Sequence, residues 1–112
     1  TVIEYMDDDK YYYRNNKLHR EDGPAIEQYN GTKIWYQNNL LHREDGPAIE
    51  WSNGTKEWHI NGELHRIDGP AIEYPNGKIE FVIYGININK IKNIFKEMLI
   101  GNKHSDSVFR RI

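Results

Sequence analysis

Apolar and polar positions alternate in short stretches, each broken within a few residues by Gly, Asn or Pro, a pattern that predicts short strands joined by tight turns. Ala48-Ile49-Glu50-Trp51 alternates loosely at the strand period. Asn53-Gly54 follows as a turn, and Lys56 to Ile60 reads as a return strand rich in aromatic and β-branched residues. Asn53 and Gly54 are expected to take positive φ together, as a type I′ hairpin requires. Asn61-Gly62 is a second turn of the same chemistry, replaced by Asn38-Asn39 and Asn15-Asn16 earlier in the chain. Asn tolerates the left-handed region better than most residues. Asp-Gly-Pro triplets bend the chain before the next strand, with Pro at the strand entrance because it has no N–H for a ladder.

This pattern is a repeat. Leu18-His19-Arg20-Glu21-Asp22-Gly23-Pro24-Ala25-Ile26-Glu27 recurs as Leu41 to Glu50 and again, with Ile67 in place of Glu, as Leu64 to Glu73. The period is 23 residues. Tyr12, Trp35, Trp58 and Phe81 are equivalent, as are Asn30-Gly31, Asn53-Gly54 and Asn76-Gly77. Val2-Ile3-Glu4 aligns with Ala25-Ile26-Glu27, so a partial unit at 1–17 precedes full units at 18–40, 41–63 and 64–86. The first residue is Thr rather than Met, which suggests a processed chain or a piece of a longer one. A unit this short cannot bury its own apolar face, so stacking on its neighbours supplies the core. The expected fold is mainly β, a single-layer meander of about seven or eight antiparallel strands in which each two-strand unit advances by roughly 10 Å.

The unit W-Y-x-N-G-x-L-H-R-x-D-G-P-A-x-E-Y-x-N-G resembles a MORN repeat variant in its period, its aromatic strand, its Asn-Gly turn, its His followed by Gly and its second Gly turn. The resemblance covers roughly residues 1–86 and departs from the common MORN pattern where Lys-x-His-Gly-x-Gly is replaced by Leu-His-Arg-x-Asp-Gly-Pro. The L-H-R-x-D-G-P-A form is associated with bacterial, phage and giant-virus proteins. The resemblance implies an elongated, twisted sheet of hairpin repeats, a MORN-like solenoid used for protein contacts. It also brings the lipid-associated scaffold into view as one alternative.

From residue 87 the period changes. Ile91, Ile94, Phe95, Met98 and Leu99 form an apolar stripe at helical spacing, which predicts a helix over 89–100 with Asn89 as N-cap and Gly101-Asn102 as its stop. Ser105 or Asp106 is placed to cap a last short turn carrying Val108, Phe109 and Ile112. A solenoid needs a terminal cap and an open β edge invites aggregation, so the helix is expected to cover the last hairpin. Dimerisation through the stripe is the second reading. A membrane anchor ranks below both, because the apolar face is short and lacks Trp.

Composition narrows the function. The 112 residues carry 15 Lys and Arg against 17 Asp and Glu, and no Cys. Disulfides, thiol catalysis and Cys-based zinc sites are excluded. No apolar run approaches a membrane span and no signal peptide opens the chain, so a cytoplasmic protein is expected. Charge is unevenly spread. From Ile86 onward six basic residues face two acidic ones, whereas nine basic residues face fifteen acidic ones before it. An acidic body argues against nucleic-acid binding, including base stacking on an aromatic row, which would need a basic groove beside the rings.

His19, His42 and His65 each precede an Arg and stand three residues before Asp22, Asp45 and Asp68. Imidazole with carboxylate suits proton transfer or zinc binding. The triplet is copied with the unit, however, and adjacent copies lie too far apart to share one tetrahedral ion. The expected role is structural. Arg20, Arg43 and Arg66 pair with the Asp two residues on or with a neighbouring unit's acid, and each His bonds a backbone carbonyl in the turn. Glu27, Glu50 and Glu73 make an acidic row, with Lys33, Lys56 and Lys78 placed to pair across the hairpin. Trp35, Tyr36, Trp51, Trp58 and Tyr74 are the candidate partner-binding residues, since rows of Trp and Tyr are anchor material for partners and for carbohydrate.

The sequence therefore predicts a non-enzymatic repeat module, without metal or cofactor, that binds another protein through an aromatic and charged face. The alternative is a phage- or virus-encoded inhibitor that imitates nucleic-acid phosphates to block a host defence enzyme.

Overall fold

The computed structural model describes residues 1–101. The short turn expected between Ser105 and Ile112 lies outside the described residues. The architecture is mainly antiparallel β-hairpins followed by one C-terminal helix.

The partial first unit holds β1 (Val2–Glu4), β2 (Lys10–Arg14) and β3 (Lys17–Leu18). The next unit holds β4 (Ile26–Glu27), β5 (Lys33–Ile34), β6 (Tyr36–Gln37) and β7 (Leu40–Leu41). The same four elements recur as β8 (Ile49–Glu50), β9 (Lys56–Glu57), β10 (His59–Ile60) and β11 (Glu63–Leu64), and then as β12 (Ile72–Glu73), β13 (Ile79–Glu80), β14 (Val82–Ile83) and β15 (Ile86–Asn87). One large sheet runs in the order β1-β2-β4-β5-β8-β9-β12-β13, with β3 paired to β2 off this path. The pairs β6-β7, β10-β11 and β14-β15 form separate two-stranded sheets. The large sheet is open among the described residues, and its ends are β1 and β13.

Seven or eight strands were expected, and the described residues form fifteen. The difference arises from the short return strands β3, β7, β11 and β15 after each second turn, and from a break at Trp35 and its equivalents. The Trp35 N–H donates to the Ala48 carbonyl at 2.7 Å, continuing the β5–β8 pairing, while its carbonyl accepts from His42 N–H at 3.1 Å, continuing the β6–β7 pairing. Trp58 does the same between Ala71 and His65. One residue thus belongs to two sheets, and the strand expected to run straight through it is broken into two.

The two turns of each unit differ. Asn61-Gly62, Asn38-Asn39 and Asn15-Asn16 have both residues at positive φ, as expected, and Tyr84-Gly85 closes the last hairpin in the same way. At the other turn only Gly31, Gly54 and Gly77 are at positive φ. Asn53 instead accepts Thr55 N–H through Oδ1 at 2.9 Å, and Trp51 N–H bonds the Thr55 carbonyl at 2.9 Å. This is a three-residue loop ending in a left-handed Gly, not the type I′ turn that Asn-Gly suggested. Asp8 takes the Gly place in the first unit, at φ 69°.

The molecule measures 65 × 33 × 20 Å with a radius of gyration of 19.1 Å. A compact chain of 100 residues has about 13 Å. Its core is correspondingly thin. Ala25, Ala48 and Ala71 are fully buried, with Ile26, Ile49 and Val82 beside them, and His19, Thr32, Thr55, His59 and His65 are buried as well. Polar contacts must therefore hold what apolar area does not.

The helix α1 (Ile88–Gly101) begins one residue before the predicted start. Its cap is Asn87, whose Oδ1 accepts Asn89 N–H at 2.8 Å, rather than Asn89 itself. It follows β15 directly. Ile94, Phe95 and Met98 on its stripe are about half exposed, and Leu99 is partly buried.

Candidate functional site

Each L-H-R-x-D-G-P-A-I-E segment builds the same cluster around its arginine. The guanidinium carbon of Arg20, Arg43 and Arg66 lies 3.9 Å from the ring centroid of Tyr12, Trp35 and Trp58 respectively. Arg43 Nε donates to Asp45 at 3.0 Å, while Nη1 donates to the Pro47 carbonyl at 3.1 Å and to Glu50 at 3.0 Å. Arg20 and Arg66 repeat these bonds with Asp22, Pro24 and Glu27, and with Asp68, Pro70 and Glu73. The planar fork of Arg suits this arrangement, with a ring on its face and three acceptors on its edge. The motif Gly leaves room for the guanidinium: a Cβ on Gly46 would lie 2.8 Å from the Arg43 guanidinium carbon, so the side chain would have to shift. Burial works against the charge of Arg20, but the bond to Asp22, the neighbouring Tyr12 and the pair with Glu27 outweigh it and hold its pKa above the ordinary value.

The Arg–Asp pairing expected from the spacing is present. The Glu row is not a solvated strip paired to lysines, because Glu27, Glu50 and Glu73 are the arginines' second carboxylates. The strongly exposed acids are instead Asp22, Asp45 and Asp68, each with 88% of its side chain accessible, together with Glu21 and Glu44. At the fourth ring, Phe81, Asn89 stands one period after Arg66, and Phe81 is exposed.

The histidines act differently from the expectation. Nδ1 of His19, His42 and His65 accepts the backbone N–H of Asn38, Asn61 and Tyr84, at 3.1, 3.0 and 2.7 Å. The partner is an amide at the next hairpin turn, 19 residues further along the same unit, not a carbonyl, so each His ties its loop to the hairpin that ends the unit. An Nδ1 that accepts places the ring proton on Nε2. Nε2 of His19 and His42 lies 3.6 Å from Glu21 and Glu44.

The candidate partner residues fall into separate places. Trp35 and Trp58 sit beneath guanidinium groups. Trp51 and Tyr74 occupy the three-residue turns, where the indole N–H donates to Glu57 and the phenol donates to Glu80 at 2.9 Å. That bond, with burial and the charges of Glu80 and Glu57, raises the Tyr74 pKa. Tyr36 opens β6 half-buried, and burial raises its pKa too. Sequence reasoning missed the buried Thr32, whose Oγ1 accepts Ser52 N–H across units at 3.1 Å, and His59, which meets Glu57 at 3.1 Å. The Thr following Asn-Gly in two units was the available signal.

Two grooves open between successive loops. The first, about 650 Å³, is flanked by Arg20, Asp22, Trp35, His42 and Glu44. The second, about 550 Å³, is flanked by Glu44, Asp45, Trp58, His65 and Asp68. They meet at Arg43, Glu44 and Asp45. Tyr36, Trp51 and Tyr74 line neither. Among the described residues no group of three or more His, Asp or Glu is arranged to hold a metal ion, and no helix is long and apolar enough to cross a membrane. No family model, curated protein or solved structure matches the chain.

Proposed function

We propose that the chain is a non-enzymatic, MORN-like repeat solenoid that binds another protein along the face carrying the His-Arg-x-Asp-Gly-Pro loops. The observation that supports this reading is the threefold repetition of one arginine cluster. Every polar residue of the motif has the same structural partner in each unit, whereas a catalytic or metal site would set one copy apart from the others. What the repetition leaves exposed is a periodic surface of carboxylates beside aromatic rings, which suits contact with a protein. The exposed stripe of α1 supports a second contact, between two copies of the chain, which sedimentation would register as a dimer.

Affinity capture from cells that produce the protein tests the main reading. Wild type is run beside a Glu21→Gln/Glu44→Gln bait whose fold is checked by circular dichroism. Both residues are exposed and lie outside the arginine clusters. A specific protein lost with the variant supports the reading. No enriched protein, or equal recovery with both baits, overturns it.

A further inference from the structure

The two open edges of the large sheet, β1 and β13, are complementary to each other. We propose that β13 of one copy takes the opening strand β1 of a second copy, so that the array continues head to tail from molecule to molecule. This self-association goes beyond the partner-binding reading and does not depend on it.

The junction to be made already exists inside the chain. β2 pairs with β4, β5 with β8 and β9 with β12, each time a return strand against the opening strand of the following unit. At these three junctions Tyr12, Trp35 and Trp58 donate their N–H to the carbonyls of Ala25, Ala48 and Ala71, at 2.8, 2.7 and 2.8 Å. Phe81 is the next residue of this series, and among the described residues its N–H has no acceptor. The chain does not supply the missing strand itself. Phe95-Lys96, one period after Ile72-Glu73, lie in α1.

β1 has the matching edge. Thr1 and Tyr13 exchange both backbone hydrogen bonds, at 2.8 and 2.7 Å. By the alternation of an antiparallel ladder, Ile3 then faces β2, while the backbone groups of Val2 and Glu4 face away from it. Val2-Ile3-Glu4 stands where Ala25-Ile26-Glu27, Ala48-Ile49-Glu50 and Ala71-Ile72-Glu73 stand, so any unit that leads the array presents the same edge.

Equivalence also fixes the register. Lys33 lies opposite Glu50 and Lys56 opposite Glu73. One period further, Ile79 lies opposite Glu4 of the second copy and Glu80 opposite its Ile3. Ile79 and Glu4 then exchange two backbone bonds, and Phe81 N–H reaches the Val2 carbonyl. The side chains agree with this pairing. Val2 and Ile3 are 45% and 41% exposed, whereas Ala25 and Ile26, covered by a neighbouring unit, are 0% and 7% exposed. Ile79 and Phe81 on the other edge are 47% and 42% exposed. A row of unpaired N–H and C=O groups flanked by apolar side chains is a template for a further strand. The two surfaces differ, so each added copy offers a new β13 and the contact does not end at two molecules.

The test is sedimentation velocity of the full chain over a concentration series. Wild type is expected to pass through dimers and trimers to longer species as concentration rises. Ile79→Pro and Glu4→Pro each remove one outward N–H and leave the inward ladder in place. Each alone should sediment as a monomer, with circular dichroism and the melting temperature confirming the fold. An equal mixture of the two should form dimers and nothing larger, because the intact β1 of one variant meets the intact β13 of the other and the remaining ends are blocked. Ile79→Glu leaves the backbone untouched, places like charges opposite each other and should weaken association about two- to fivefold. A wild type that is monomeric at every concentration overturns the proposal, as does a mixture of folded proline variants that stays monomeric or an Ile79→Glu variant that associates like wild type. Association that survives in each proline variant alone assigns the contact to the exposed stripe of α1 and overturns it too.

Discussion

Replacing Arg43 by Ala removes one whole cluster from the central unit, and the loss can be worked out contact by contact. The stack on Trp35 contributes about 1 kcal/mol at a partly exposed site. The bond to the Pro47 carbonyl contributes another ~1 kcal/mol, and its loss leaves a part-buried carbonyl without this donor. The pair with Glu50, whose side chain is 37% exposed, is discounted for solvent to about 0.5–1 kcal/mol. Asp45, 88% exposed, adds little. Arg43→Ala should therefore cost about 3 kcal/mol, a large share of the stability of a small domain. Arg43→Lys should cost about 2 kcal/mol, because an ammonium keeps the charge but cannot present a flat face to Trp35 and an edge to three acceptors. Urea unfolding followed by tryptophan emission and by circular dichroism measures both. A loss below about 1 kcal/mol for Arg43→Ala, or a Lys variant as stable as wild type, would show that the repeated geometry is a consequence of the fold rather than a support for it.

Gly46→Ala should cost about 2 kcal/mol by pushing the guanidinium off its acceptors, and the cost should shrink in an Arg43→Ala background; additive losses in a double-mutant cycle would refute this. His65→Phe keeps the ring that stacks 4.0 Å from Tyr84 but removes the acceptor for its amide. Hydrogen exchange of Tyr84 should accelerate while that of Asn38 does not, with a stability loss of about 1 kcal/mol. Asp8→Gly should raise stability by about 0.5 kcal/mol by relieving a left-handed non-glycine residue, seen as a higher melting temperature.

The repeat, the strand-and-turn character and the helix were legible because each is written in local pattern. The Arg43–Asp45 pair was legible for the same reason, being two residues apart. What escaped depends on how units meet. Asn-Gly is compatible with two loop types, and the choice is set by Trp51 pairing with Thr55 across the loop rather than by the dipeptide. The break at Trp35 comes from hydrogen bonds to Ala48 on one side and His42 on the other, which no local alternation encodes. The direction of the histidine bond required knowing that a neighbouring turn would present N–H groups to the ring. The aromatic–arginine stack was readable in principle, since Tyr12, Trp35 and Trp58 each stand eight residues before their arginine. Two of the candidate rings, Trp35 and Trp58, carry these stacked guanidinium groups.

The histidine tie within each unit always spans the same 19 residues, and the strand pairings that join successive units repeat in register. Every junction is thus made by interchangeable parts. Excising residues 41–63 would join Leu40 to Leu64 and bring together two surfaces that already fit, and inserting a further copy would do the same. Length is consequently a quantity this architecture can change in whole steps, by in-frame loss or duplication, without a new contact having to be invented.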